Sequence, residues 1–109
     1  MRLEKTMTSG VTVTVEINLK PEEADAFCDT MLPQLQKQTQ AFAGVRSVRA
    51  VRQAAEPTRV LFIDVFDTVE ASDAYFKWRG ETGDLDLLGS LVSEPPRISV
   101  WPTAIDPAA

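Results

Sequence analysis

An acidic residue between two aromatic residues is the part of this sequence that best suits acid–base chemistry: Phe62, Asp64 and Phe66 alternate with apolar residues. Residues two apart on a β-strand point to the same face, so Asp64 is expected to lie on an apolar face. Removal of water raises the pKa of a carboxyl group and makes it a stronger base near neutral pH. Asp64 is therefore a candidate general base. The alternative is an ion pair between Asp64 and an arginine of a neighbouring strand, such as Arg49.

Tyr75 and Trp78 form a second candidate pair. They lie three residues apart on a predicted helix and therefore share a face of that helix. Their phenol and indole N–H groups are suited to hold an oxygen atom of a substrate. Packing in the hydrophobic core is the competing explanation for both residues, and Trp78 fits that explanation better than Tyr75 does.

Residues 44–60 form a basic segment with a charge of +3, in a chain whose net charge is −5. Such a segment would attract a carboxylate or enolate substrate to an otherwise acidic protein. The alternative is a solvated face of a strand, which is the more common role of such a charge run. The arginines of the segment are Arg46, Arg49, Arg52 and Arg59.

The overall composition excludes several classes of function. The 109 residues include no histidine and one cysteine, Cys28. An acidic chain lacks the basic surface that nucleic acids and anionic membranes require, and a single cysteine permits neither an internal disulfide nor a zinc site. No signal peptide is recognisable, and no apolar run is long enough to cross a bilayer. We therefore expect a cytoplasmic protein that binds no metal, no nucleic acid and no membrane.

The elements that must position these residues are predicted from the periodicity of apolar side chains. Alternation indicates strands at residues 11–19, 45–54, 59–67 and 97–101, and helical spacing indicates a helix from residue 21 to before residue 44, a second helix from residue 68 and a short third helix at residues 85–92. This order is that of a ferredoxin-like α+β fold, βαββαβ, with an antiparallel sheet. Residues 1–10 are expected to form a flexible arm, residues 11–103 a single domain and residues 104–109 a tail.

Three local features carry further expectations. Pro33 lies inside the first predicted helix, so a kink or a break is expected near Met31. Residues 55–58 predict a hairpin loop of about four residues. The segment from Arg79 to Gly83 is expected to interrupt the second helix.

The predicted third strand is apolar on both faces, since Leu61, Ile63 and Val65 alternate with Phe62 and Phe66. The helices of a ferredoxin-like fold cover only one face of the sheet. A strand of this kind would leave an apolar patch on the bare face that is larger than monomers usually expose. A homodimer formed through that face is therefore expected.

Several stretches of the chain resemble the antibiotic-biosynthesis monooxygenase-like family of the dimeric α/β-barrel superfamily. They agree in order and spacing from about residue 11 to residue 101. The matching stretches are Leu19-Lys20-Pro21, the run TQAFAGV at residues 39–45, Pro57-Thr58-Arg59-Val60, and Phe62 to Asp67 followed by Glu70-Ala71 and Ala74-Tyr75.

The resemblance implies a dimeric α/β barrel and two contrasting functions. Family members often carry tryptophan where this chain has Phe66 and histidine where it has Tyr75, and the missing histidine argues against haem degradation. The branch that remains is cofactor-independent monooxygenation of a hydroxylated aromatic, polyketide-type molecule. The alternative is a non-catalytic homodimer that binds a small molecule or serves as an accessory subunit.

For the enzyme, the expected catalytic residues are Asp64 and Tyr75. The expected substrate-binding residues are Phe62, Phe66, Trp78 and Arg49. No metal and no cofactor are expected.

Overall fold

The computed structural model describes residues 10–105 as an α+β fold with one four-stranded sheet. The predicted arm at residues 1–10 and the predicted tail at residues 104–109 fall mainly outside the described residues. The elements are β1 (Val11–Asn18), α1 (Pro21–Ala26), a π-helical segment (Phe27–Met31), α2 (Leu32–Gln40), β2 (Val45–Arg52), β3 (Arg59–Phe66), α3 (Val69–Glu81), α4 (Asp84–Leu91) and β4 (Arg97–Trp101).

The sheet has the order β2-β3-β1-β4, and all neighbouring strands are antiparallel. The central strands are β1 and β3, which are the two strands with the strongest apolar patterns. This arrangement confirms the predicted ferredoxin-like βαββαβ order. No helix among residues 10–105 is long and apolar enough to span a membrane.

The core lies between the helices and one face of the sheet, which we call the inner face. On β1, the alternating residues Val11, Val13, Val15 and Ile17 are all buried on this face. Directly paired residues of antiparallel strands lie on the same face, so Asp64 of β3, which pairs with Val13, also belongs to the inner face. The side chain of the candidate base therefore lies within the core layer.

The opposite, outer face carries the second apolar set of β3. Leu61, Ile63 and Val65 are half-buried there, although the helices pack on the other side of the sheet. Trp101 of β4 pairs with Thr12 on the same outer face and is 56% exposed. The indole Nε1 of Trp101 donates a hydrogen bond to Thr14 Oγ1 at 3.0 Å.

Pro33 is accommodated without a break in the first helical region. A π-helical segment precedes it, and the backbone N–H of Leu32 donates to Phe27 O, which is the wider spacing of a π-turn. The expected disturbance near Met31 is thus present, but as an insertion into a continuous helix. The wider turn adapts the backbone next to the residue that lacks an N–H.

Two other local expectations need correction. The loop between β2 and β3 spans residues 53–58, which is two residues longer than predicted. The second predicted helix does not stop at Arg79, because α3 continues to Glu81 and the chain turns only at Gly83, whose φ of 86° favours glycine. Arg79 therefore lies on a helix, four residues after Tyr75.

Candidate functional site

A cavity of about 290 Å³ lies between the inner face of the sheet and the helices. Its walls are mostly apolar, and they include the exposed residues Leu85, Leu87 and Ile98. The polar residues that line it include Gln36, Thr39, Asp64, Tyr75, Arg79 and Asp84. An apolar cavity with few polar groups is typical of a small-molecule site.

Asp64 is the buried acid of this cavity. Its side chain lies on the inner face of β3 and the residue is only 5% exposed. Burial raises the pKa of its carboxyl group to about 6, against the lowering effects of the Arg79 charge and of a hydrogen bond from the backbone N–H of Arg49. The carboxyl group is therefore ionised at neutral pH but is a stronger base than an ordinary aspartate.

Arg79 is the buried cation beside Asp64, and it is 4% exposed. A guanidinium group has five N–H donors, and all five of them have acceptors. Nε donates to Tyr75 Oη at 2.8 Å, Nη1 donates to Gln38 Oε1 at 2.9 Å and to Asp84 Oδ2 at 2.7 Å, and Nη2 donates to Leu35 O at 3.0 Å and to Thr39 Oγ1 at 2.9 Å. Arg79 thus joins α2, α3 and the start of α4.

Tyr75 is a member of the same network. Its phenol oxygen lies 2.7 Å from Thr39 Oγ1. Thr39 donates its single hydroxyl proton to Leu35 O at 2.9 Å, so the phenol of Tyr75 donates to Thr39 while it accepts from Arg79. The proton of the phenol is therefore engaged within the protein.

Asp84 completes the network at the start of α4. Its Oδ2 accepts from Thr82 Oγ1 at 2.7 Å as well as from Arg79. The hydrogen bond from Thr82 lowers the pKa of the Asp84 carboxyl group, burial opposes this effect, and Arg79 adds to the lowering. Asp84 is consequently a stable carboxylate on the cavity wall.

The structure brings together four of the six residues that the sequence selects. Phe62, Asp64 and Tyr75 line the cavity, and Arg49 contributes to its wall. Phe66 is fully buried behind the cavity and packs against Tyr75, with ring centroids 5.4 Å apart. Phe66 is thus a core residue and does not line the site.

Trp78 also lies outside the cavity lining. Its ring packs against Phe42, with centroids 5.2 Å apart, and the guanidinium carbon of Arg79 lies 4.8 Å from its ring centroid. The competing explanation, core packing, is therefore the one that this geometry supports for Trp78. Its contact with Arg79 covers the buried guanidinium.

The side chain of Arg49 is not where the sequence places it. Arg49 pairs with Ile63, so its side chain belongs to the outer face, whereas Asp64 lies on the inner face. The alternative of an ion pair between Asp64 and Arg49 is therefore wrong. Only the backbone N–H of Arg49 reaches the carboxyl group, and the nearby guanidinium is that of Arg79.

The other arginines of the basic segment form ion pairs at the surface. They contact acidic residues outside the cavity, as expected for a solvated strand region. The pairs are Arg46 with Asp67 at 2.6 Å, Arg52 with Asp25 at 2.8 Å and Arg59 with Glu56 at 2.5 Å.

Arg79 is the main residue of the site that the sequence analysis missed. The available signal was the spacing of four residues between Tyr75 and Arg79, which places both on one face of a continuous helix.

Within residues 10–105, no group of three or more Cys, Asp or Glu side chains is placed to hold a metal ion.

Comparison with known proteins agrees with this architecture. Residues 10–80 match the family model described as antibiotic biosynthesis monooxygenase. A search of curated proteins gave no match.

Three solved structures show the same fold. A conserved protein from Methanosarcina mazei has a TM-score of 0.77 at 14% identity, with 91% of this chain and 96% of that chain covered. An antibiotic biosynthesis monooxygenase has a TM-score of 0.77 at 16% identity, with coverage of 88% and 99%. A candidate antibiotic biosynthesis monooxygenase from Deinococcus radiodurans has a TM-score of 0.76 at 19% identity, with coverage of 91% and 96%. Because the family model spans well over half of the sequence, the chain belongs to the antibiotic biosynthesis monooxygenase family.

Proposed function

We propose that this protein is a cofactor-independent monooxygenase that oxidises a hydroxylated aromatic small molecule. The observation that carries the proposal is Asp64, a carboxyl group with a pKa of about 6 in an apolar cavity. Family membership supports the reaction type, and the cavity supports the class of substrate.

The first step is removal of a proton from the substrate by Asp64. A phenol has a pKa of about 10, so proton transfer to an ordinary aspartate is uphill by about 6 pKa units. With a pKa of about 6 for Asp64, the difference falls to about 4 units. At about 1.4 kcal/mol per unit, the raised pKa lowers the cost of this step by about 3 kcal/mol.

The substrate anion then supplies the electrons that reduce oxygen. For a phenolic substrate with an adjacent methylene group, such as an anthrone, the methylene carbon becomes a carbonyl carbon. One atom of O₂ enters that carbonyl group, and the other leaves as water with the two hydrogens of the methylene group. The substrate thereby loses four electrons, and O₂ accepts all four.

The cavity walls suit a planar aromatic ring. Phe62 lines the cavity and stacks with Phe27, with ring centroids 6.3 Å apart. A ring lying against this pair gains apolar contact, and offset stacking contributes about 0.5–1.5 kcal/mol for a favourable pair. The volume of about 290 Å³ is at the lower end of the range for small-molecule sites and favours a compact molecule.

Tyr75 has an indirect role in this proposal. Its phenol is held by Arg79 and Thr39, so it fixes the guanidinium that acts on the charge of Asp64. Tyr75 is therefore a positioning residue, and Asp64 is the catalytic residue.

The test is oxygen uptake by the purified protein, freed of metal and flavin, with a panel of anthrones and naphthols. Turnover above the spontaneous rate is expected, and Asp64→Asn is expected to lower it by about 100-fold or more, as for loss of a general base. Asp73→Asn is the matched control, because Asp73 is exposed on the same chain and lies outside the cavity.

The runner-up function gives a different result in the same experiment. If the wild-type protein consumes no oxygen while the aromatic compounds raise its melting temperature, it is a binding protein of this fold. Equal turnover by the wild-type protein and Asp64→Asn would remove the assigned base.

We further propose that residues 11–103 form a single domain that dimerises through the outer face of the sheet. The half-buried apolar set Leu61, Ile63 and Val65 supports this proposal. Light scattering is expected to give twice the chain mass of 12.0 kDa. Ile63→Asp places a charge on this face and is expected to give a folded monomer, whereas a monomeric wild-type protein would contradict the proposal.

A further inference from the structure

We infer that the cavity selects its substrate by charge: it accepts a neutral hydroxylated aromatic molecule and rejects the same ring system when it carries a carboxylate. The inference rests on the proposed function in one respect, since it takes hydroxylated aromatics as the class of ligand. It goes beyond that function by stating which hydroxylated aromatics bind, and it is argued from the positions of the charged groups around the cavity.

The arginine of the cavity has no donor left for an anionic ligand. All five N–H groups of Arg79 already donate to acceptors of the protein, at distances of 2.7 to 3.0 Å. A carboxylate ligand that took one of these donors would leave an acceptor such as Gln38 Oε1 or Tyr75 Oη without its hydrogen bond from Arg79. Loss of a buried hydrogen-bond partner offsets the gain from the new contact.

Apart from Arg49, whose side chain belongs to the outer face, the charged residues that line the cavity are two aspartates and one arginine. Asp64 and Asp84 both line it, and Arg79 is the one buried cation of the described residues. Its charge is balanced at close range by Asp84, whose Oδ2 lies 2.7 Å from Nη1. The charge of Arg79 acts on Asp64, but Asp64 forms no ion pair among the described residues, so a second anion beside it is both desolvated and repelled.

The basic segment does not change this balance. The guanidinium groups of Arg46, Arg52 and Arg59 form ion pairs at the surface, and none of these three residues lines the cavity. The Arg49 side chain belongs to the outer face through its pairing with Ile63. The sequence-based idea that this segment attracts a carboxylate substrate is therefore not the one that the structure favours.

A neutral hydroxylated ligand is not repelled by Asp64 and can form a hydrogen bond with it. Its O–H group donates to Asp64, which accepts one hydrogen bond from the backbone N–H of Arg49 and forms no ion pair among the described residues. The rest of the ring replaces water along the apolar walls. The ligand then removes an unfavourable feature of the empty cavity, because it gives the buried carboxylate a donor.

The experiment compares three ligands of one shape by isothermal titration calorimetry at neutral pH: a naphthol, the naphthoic acid of the same substitution, which is ionised, and the neutral naphthamide. The naphthol is expected to bind at least roughly tenfold more tightly than the naphthoate, which corresponds to one buried charge without a partner. The naphthamide is expected to bind closer to the naphthol, because it has the size of the naphthoate without its charge.

A substitution of Asp64 tests whether this residue causes the weaker binding of naphthoate. Asp64→Asn removes the buried carboxylate that has no ion pair and is expected to raise the affinity for naphthoate relative to naphthol, while the exposed Asp73→Asn leaves the ratio unchanged. Naphthoate binding that equals or exceeds naphthol binding in the wild-type protein overturns the inference, as does the absence of binding by all three ligands. Because binding is measured without turnover, a protein that binds by charge but consumes no oxygen contradicts the proposed function and leaves this inference standing.

Discussion

Two charged residues of this protein are buried to the same degree but have very different surroundings. Asp64 is 5% exposed and Arg79 is 4% exposed. Arg79 has an acceptor for each of its five donors, whereas Asp64 has a single backbone donor and, among the described residues, no ion pair. Burial alone therefore does not identify a functional group. The number of satisfied hydrogen bonds separates the residue that joins the helices from the residue that we propose as the base.

The largest expected effect is on the Arg79 network. Arg79→Met keeps most of the side-chain volume but removes all five donors, so Asp84 loses its buried cation, and Tyr75 Oη and Gln38 Oε1 lose the hydrogen bonds that they accept from Arg79. The expected loss of stability is about 3 kcal/mol or more, as for removal of one member of a buried ion pair. Urea denaturation followed by circular dichroism measures it.

Lys77→Met is the matched control for this variant. Lys77 lies on the same helix, and its exposed side chain pairs with Glu81 at 3.6 Å. Its loss is expected to change stability by less than about 0.5 kcal/mol. Equal effects of the two substitutions would mean that the Arg79 network adds no more stability than a surface pair.

The next largest expected effect is a pH dependence of the free energy of unfolding that is caused by Asp64. Its pKa is about 6 in the folded protein and 3.8 in its ordinary state, so the folded state binds the proton more tightly than the unfolded state. This contribution to stability is complete below about pH 4 and is lost as the pH rises through about 6. A shift of about 2 units corresponds to about 3 kcal/mol at most.

Asp64→Asn tests this prediction because asparagine does not ionise in this range. Relative to the wild-type protein, the variant is expected to gain stability as the pH rises from about 4 to about 8, by about 2–3 kcal/mol in total. Denaturation series at several pH values measure the difference. A difference that stays constant over this range would mean that the pKa of Asp64 is not raised.

The fold could be predicted from the sequence because its signals are local. The alternation of β1 and the two apolar faces of β3 follow directly from residues two apart, and they place Asp64 correctly on an apolar face. The position of Arg49 relative to Asp64 depends instead on the register between two strands, which alternation within one strand does not give. The pairing of β2 with β3 shifts between Val45 and Ser47, and a one-residue bulge moves every later side chain of the strand to the other face.

The Arg79 network could not be predicted for a different reason. Its acceptors Leu35 and Thr39 lie some 40 residues away along the chain, as the separations of the two hydrogen bonds show. No local pattern carries that information, and Gly80 and Gly83 made the segment resemble a loop. Only the spacing of four residues from Tyr75 pointed to a shared helical face.

The smallest expected effect is that of Tyr75→Phe, which tests whether Tyr75 belongs with Arg79 or with Asp64. The variant keeps the ring that packs against Phe66 and removes the acceptor of Arg79 Nε, so a loss of about 1–2 kcal/mol in stability is expected. Ser90→Ala is the control, because the Ser90 hydroxyl is exposed and bonds only within its own helix.

The pH profile of oxygen uptake distinguishes the two roles of Tyr75. If Tyr75 is a positioning residue, Tyr75→Phe retains turnover, and the apparent pKa of the acidic limb remains that of Asp64 or rises slightly as Arg79 becomes less firmly held. A loss of turnover as large as that of Asp64→Asn, with stability unchanged, would place the phenol on the substrate. Tyr75 would then share the reactive role of Asp64, and the number of satisfied hydrogen bonds would no longer separate the two parts of the site.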